Sequence, residues 1–368
     1  MGIGRFAYTA LLPSTQHALG MGDGVAGALA SANLAGYLVG VLVARQLASR
    51  PARSGALRLG LAATALATLL GALTTALPVW AVLRVAAGVA SGLVFVLASA
   101  AALEISAPAG KLYGGVGFGI ALSGAVAALT PASTAWSTPW LVLGVAAVML
   151  AGPAWRHLAA VPPSPPRSSR SLGDPASLDF GVGRLATAYF LEGLGYIVSG
   201  TFAVAAVRRT PGLEWLAPWT WVLTGLAAAP SALFWSAMGR RLGLRGALVA
   251  AHLTQAVGMA LPSLSPSAAA ALSGAALFGG TFIGITALSM SATLYLAPAS
   301  PGRMVGTLTA IYGVGQVLGP IAAGALAQRL GDARPGVLAA AGAVALGGLL
   351  LAPGARRRRR VGVAAGTL

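Results

Sequence analysis

Ionisable residues are so sparse in this chain that it divides into twelve apolar stretches of roughly membrane-spanning length. They cover residues 1–19, 24–44, 57–76, 79–103, 114–129, 139–155, 185–207, 216–238, 246–264, 268–296, 305–326 and 336–351. A helix needs about 20 mostly apolar residues to cross the hydrocarbon core of a bilayer. Of 368 residues 8% are charged and 57% apolar, against about 25% charged in soluble domains. A soluble globular fold is excluded. The expectation is an all-α membrane protein with twelve transmembrane helices.

Six stretches precede residues 156–183 and six follow them. That segment contains Val161-Pro-Pro-Ser-Pro-Pro-Arg167 and the acidic residues Asp174 and Asp179, a polar, proline-rich composition that reads as a linker. The expected organisation is a six-helix bundle over 1–155, a cytoplasmic linker over 156–183, a second bundle over 184–355 and a basic tail over 356–368. Short matches in a common order support two related halves: Gly2-Ile-Gly4 with Gly193-Leu-Gly195, and Gly55-Ala-Leu57 with Gly246-Ala-Leu248, both 191 residues apart. Parallel repeats of this kind build many transporters.

The formal charge of +17 would point a soluble chain toward nucleic acid. With both termini placed in the cytoplasm, however, 18 of the 24 Lys and Arg residues fall on the cytoplasmic side, as the positive-inside rule requires. The basicity is therefore topogenic, and no nucleic-acid partner is expected. Arg356–Arg360 anchors the last helix on that side and can also meet anionic lipid headgroups. Cysteine is absent, which removes disulfides and thiolate chemistry. The start of the chain lacks the basic leader and cleavage site of a signal peptide; Pro13 is expected to interrupt the first helix, and a start upstream of Met1 would lengthen it.

An ionisable group within a span costs about 2.5–3.5 kcal/mol at the centre, so it faces a partner or a wet cavity. Arg5 lies among small residues in Gly2-Ile-Gly-Arg-Phe-Ala-Tyr8 and either holds an anion or snorkels to the interface. Arg84 shares a helix face with Gly88 and Gly92, a pattern that lets another helix pack closely beside a buried charge; the alternative is again snorkelling. Glu192 is the only carboxylate deep in any stretch and the candidate proton carrier, since burial and a cationic neighbour pull its protonation in opposite directions. The alternative is a static ion pair. His252 and Gln255, three residues apart on one face, serve as packing partners or pathway residues. Asn33 and Gln316 are neutral companions.

Motifs for catalysis are missing: there is no His-Glu-x-x-His, Gly-x-Ser-x-Gly or Walker loop. No enzyme activity, cofactor or metal is expected. The glycines of 114–124 read as a helix-packing face, within the chain or between chains.

Taken with the six-plus-six pattern, Leu83-Arg84-x-x-x-Gly88 resembles the fourth-helix motif of the major facilitator superfamily. Gly2-Ile-Gly-Arg-Phe-Ala-Tyr8, Tyr189-Phe-Leu-Glu-Gly-Leu-Gly-Tyr-Ile197, Leu277-Phe-Gly-Gly-Thr-Phe-Ile-Gly-Ile285 and Gly313-Val-Gly-Gln-Val-Leu-Gly-Pro320 are similar to its YbfB/YjiJ-type branch. The resemblance implies a monomeric secondary transporter of the bacterial inner membrane. It would move a small organic solute, anionic or polar, by alternating access, around a cavity lined by the first, fourth, seventh and tenth spans, with Arg5, Tyr8, Arg84, Glu192, Tyr196 and Thr281 near it. Proton coupling through Glu192 is the expectation; uniport, sodium coupling and a solute sensor that does not transport are the alternatives. The segment Gly40–Arg50 lacks the aspartate of the superfamily's usual loop motif, and the fifth stretch lacks the Gly-Pro pair of many drug–proton antiporters.

Overall fold

Inside a bilayer the backbone has no water to bond, so long apolar runs must satisfy their own N–H and C=O groups. The computed structural model describes residues 1–47, 51–104, 109–131, 133–157, 180–330 and 334–352, and among them the regular structure is entirely helical. The helices are α1 (Gly2–Leu19), α2 (Asp23–Leu47), α3 (Arg53–Gly71), α4 (Leu77–Glu104), α5 (Ala109–Leu129), α6 (Thr138–His157) and α7 (Val182–Arg208), followed by α8 (Ala217–Leu264), α9 (Ala268–Leu296), α10 (Pro301–Leu330) and α11 (Arg334–Leu351). Ten helical segments among the described residues are long and apolar enough to cross a membrane. Most of the expected linker and the five-arginine tail lie outside the described residues.

Two details differ from the expectation. Pro13 does not interrupt the first helix: α1 runs through it, and the hydroxyls of Ser14 and Thr15 fold back onto the Leu11 carbonyl in the same turn. Such local bonding lets spanning helices tolerate proline. The eighth and ninth stretches, in turn, are two helices that meet directly at a kink, without a connecting loop, at Gly243, where φ is 73° and ψ 156°; both are included in α8. Only glycine adopts that conformation readily. The two arms, 217–242 and 244–264, are each about 30–40 Å long at 1.5 Å per residue. Beside the bend, Arg245 Nε donates to the Leu351 carbonyl at 2.6 Å, placing a cation on the C-terminal carbonyl end of α11.

Lipid offers helices no hydrophobic drive to associate, so close backbone approach must do it. The seam between α2 and α4 shows this most clearly. A Cβ on Gly88 would run into the Asn33 carbonyl oxygen, and one on Gly92 into that of Tyr37; reciprocally, Gly36 and Gly40 meet the Val85 and Val89 carbonyls. The arginine–glycine face read from the sequence is this seam. Within the first half α3 also packs on α4 and α6, and α1 on α5; within the second, α7 packs on α10 and α11, and α8 on α9 and α11. The broadest contacts between the halves are α5 with α8 and α2 with α10, and α4 with α10, α5 with α9 and α1 with α7 add smaller ones. The glycine face of α5 serves the first of these, with Gly117 and Gly124 against the Ala229 and Val222 backbones, so it packs within the chain. Large apolar side chains such as Leu66, Leu70, Val82 and Met149 point outward, where a bilayer would cover them. Between the ends of α1, α5, α7 and α8 opens a cleft of about 580 Å³ that includes His17 and Arg208 in its wall.

Candidate functional site

The polar residues named from sequence form three clusters on the inner faces of the helices. The first joins α1 to α7 and α10. Arg5 is 6% exposed; its Nη2 donates to Gln316 Oε1 at 2.8 Å and to the Tyr196 hydroxyl at 3.2 Å, and Gln316 Nε2 donates to the same hydroxyl at 3.0 Å. The guanidinium does not snorkel. It lies over the Tyr37 ring at 4.3 Å and against Phe6 at 5.3 Å.

Aromatic rings surround this triad. Tyr196 stacks with Tyr312, Phe282 and Phe278 at centroid separations of 5.4, 5.7 and 6.3 Å. Phe6 sits 6.4 Å from Trp221 and 6.3 Å from Phe282. Arg5 has a hydroxyl, a carboxamide and rings for partners, and no carboxylate among the described residues. The Tyr196 hydroxyl accepts two bonds and donates none among the described residues. Trp221 Nε1 is buried without an acceptor. The cluster therefore holds donors in excess of acceptors in a desolvated setting, the condition under which an anion binds strongly.

The second cluster lies between α1, α2 and α4. Arg84 turns inward, its guanidinium 4.2 Å from the Tyr8 ring and its Nε donating to the Leu29 carbonyl at 3.4 Å. Asn33 Nδ2 donates to the Arg84 carbonyl at 2.9 Å, and the Tyr8 hydroxyl to the Ala26 carbonyl at 2.9 Å. Tyr8 thus accompanies Arg84 rather than Arg5. The third cluster pairs α7 with the second arm of α8: Gln255 Nε2 donates to Glu192 Oε1 at 2.7 Å, while His252 Nδ1 lies 2.7 Å from the Leu248 carbonyl of its own helix. Glu192 is fully buried and has no cation against it among the described residues. Thr281 donates back to the Leu277 and Phe278 carbonyls of α9 and joins none of the clusters.

Sequence reasoning missed Phe6, Tyr37, Trp221, Phe278, Phe282 and Tyr312. Aromatic residues in apolar stretches look like lipid-facing ones. Two signals existed nonetheless: Phe278 and Phe282 stand four residues apart on one face of α9, and the 191-residue repeat makes Arg5 the counterpart of Tyr196. Those two equivalent positions bond to each other.

Inward-facing buried polar clusters within a shell of outward-facing apolar side chains are the arrangement of a polytopic membrane protein with a polar interior. Residues 1–352 match the family described as "Uncharacterised MFS-type transporter YbfB", and the chain belongs to that family of the major facilitator superfamily. Its fold is similar to the crystal structure of the human organic anion transporter MFSD10 (TETRAN), with a TM-score of 0.69 at 18% identity over 95% of this chain and 96% of that one. It is also similar to the crystal structure of a single-residue variant of the E. coli fucose:proton symporter FucP, with a TM-score of 0.64 at 13% identity over 95% of each chain. A comparison with curated proteins gave no significant match.

Proposed function

We propose that the chain is a secondary active transporter of a small organic anion, coupled to protons and working by alternating access. In this reading α8 crosses the membrane twice, giving twelve spans in two bundles over 1–155 and 184–355. Both termini lie in the cytoplasm of a bacterium, and one copy is sufficient. Arg5, with Tyr196 and Gln316, holds the anionic group of the solute; Trp221 Nε1 supplies a further donor. The aromatic rings around the triad present flat apolar surface to the rest of the molecule. Arg84, Tyr8 and Asn33 brace α4 against α1 and α2, and Glu192 carries the coupling proton one helical turn from Tyr196 on α7.

The observation that carries this reading is the buried Arg5 guanidinium without a carboxylate partner. Leaving such a charge uncompensated is costly, and a bound anion removes the cost. The two fold relatives, an organic anion transporter and a fucose:proton symporter, support both parts of it. The test is uptake of a panel of monocarboxylates and dicarboxylates into proteoliposomes under an imposed pH gradient. Gradient-driven uptake of at least one anion is expected, abolished in Arg5→Met and uncoupled from the gradient in Glu192→Gln. Uptake of cations only, or unchanged pH-driven uptake in Glu192→Gln, would remove the assignment; solute binding without any flux would make the chain a sensor.

A further inference from the structure

Two buried oxygen acceptors sit at one contact without a donor. Gln255 Nε2 bonds Glu192 Oε1 at 2.7 Å, yet Glu192 Oε2 and Gln255 Oε1 both lack a hydrogen-bond partner among the described residues, and both residues are 0% exposed. A carboxyl group and a carboxamide can bond reciprocally: the amide N–H donates to one carboxyl oxygen while the carboxylic O–H donates to the amide oxygen. Half of that arrangement is present. The atoms left over are the two that the other half would use, and the missing component is a single proton.

We propose that Glu192 and Gln255 form an acid–amide proton site, in which one proton taken up on Glu192 Oε2 is donated to Gln255 Oε1. Gln255 is thereby a positioning residue that recognises the neutral acid. Uptake adds a proton from bulk water to the carboxylate and release returns it; no other bond changes. The inference rests on the proton-coupled reading above and deepens it, by giving the proton a second ligand on a different helix. Protonation tightens the link between α7 and the second arm of α8, and ionisation leaves the two oxygens facing each other unbridged.

The surroundings favour a proton over a metal cation. The helices packed on α7 are α1, α8, α9, α10 and α11, with the short 3-10 helix Glu214–Leu216 after its C-terminal end, where Glu214 lies at the exposed turn and accepts from the Gly212 amide. The ionisable groups they and α7 itself turn toward this stretch are Tyr189 and Tyr196 on α7, Tyr312 on α10, His252 on α8, and Arg5 on α1, which reaches α7 through Tyr196. None of these is a second carboxylate. Phe278 and Phe282 of α9 face Tyr196, and α11 brings Gly347 and Gly348 against His252. The remaining contact of Gln255 Nε2 is the Met259 sulfur at 3.9 Å. An alkali cation in a transporter is usually ringed by carbonyls of an unwound helix, whereas α7 is continuous through Glu192.

Infrared difference spectroscopy of the full chain in lipid nanodiscs, stepped through pH in choline chloride and again in sodium chloride, tests the site directly. A carboxylic-acid carbonyl band is expected that fades as pH rises and disappears in Glu192→Gln. In Gln255→Met, close in shape but without the amide, the band should persist at a higher wavenumber because the O–H has lost its acceptor; Gln255→Leu is the second variant if the first does not fold. Sodium should change nothing. Absence of a band assignable to Glu192, an unmoved band in both Gln255 variants, or displacement of the band by sodium at fixed pH would overturn the proposal. A band that moves as expected in a protein whose uptake ignores the pH gradient would support the acid–amide site while removing proton coupling from the transport reading.

Discussion

Replacing Gly88 by alanine adds one methyl group where α4 crosses α2. The new Cβ would lie 2.8 Å from the Tyr37 amide nitrogen and 3.0 Å from the Asn33 carbonyl carbon, and nearer still to the Asn33 oxygen. Comfortable separations begin at about 3.5 Å, and every obstacle is backbone, so no rotamer change relieves the clash. The helices must part by about 1 Å. Overpacking of this kind costs about 1–3 kcal/mol, and the upper end applies because Gly36, Gly40 and Gly92 lose their contacts along the same seam. The gain from replacing a mid-helix glycine, about 0.5–1 kcal/mol, leaves a net loss of about 2 kcal/mol. Gly342→Ala on α11 is the control, since a Cβ there meets nothing within 4 Å. Thermal unfolding of both purified variants should show Gly88→Ala several degrees below wild type and Gly342→Ala at or above it. Equal midpoints for the two would refute the account of the α2–α4 seam. Because Tyr37 and Asn33 ride on the displaced helix, Gly88→Ala should also weaken binding of a transported anion.

Other outcomes follow from single contacts. Tyr196→Phe removes the hydroxyl that accepts from Arg5 and Gln316 and whose own O–H is left to donate to the proposed anion; a hydrogen bond to a charged group contributes about 1.5–3 kcal/mol, so anion affinity should fall at least about tenfold in a ligand-dependent thermal shift. Arg5→Met should abolish that ligand shift while leaving the unliganded melting temperature equal or higher, because the variant no longer buries a charge lacking a carboxylate partner. Gly243→Ala should cost about 1–3 kcal/mol in thermal unfolding through its positive φ with extended ψ alone, without altering ligand affinity.

Much of the architecture is legible from elementary constraints. Water-free backbone forces helices, and the rarity of charge singles out Arg5, Arg84 and Glu192 because each must be held by something. Glycine spacing on α4 and α5 reads as close packing for the same reason that a Cβ finds no room there. What the chain does not display locally is partnership. Gln316 is 311 residues from Arg5 and Gln255 63 from Glu192, and neither amide is marked out by its neighbours in the sequence. Thr281 looked equally eligible, but a threonine hydroxyl in a spanning helix can satisfy itself on the preceding turn, and this one does. Gly243 sits in a basic stretch that reads as a loop; only its φ reveals that helix resumes at once.

The bond between Arg5 and the Tyr196–Gln316 pair has a kinetic meaning under the proposed transport cycle. It fastens the first half of the chain to the second with the protein's own groups, at the position where the cargo would do so. A carrier that can clasp itself in this way has a route for resetting unloaded after delivery, and it is not compelled to carry something back. Net accumulation of solute, rather than one-for-one exchange, is the mode of operation that such a clasp permits.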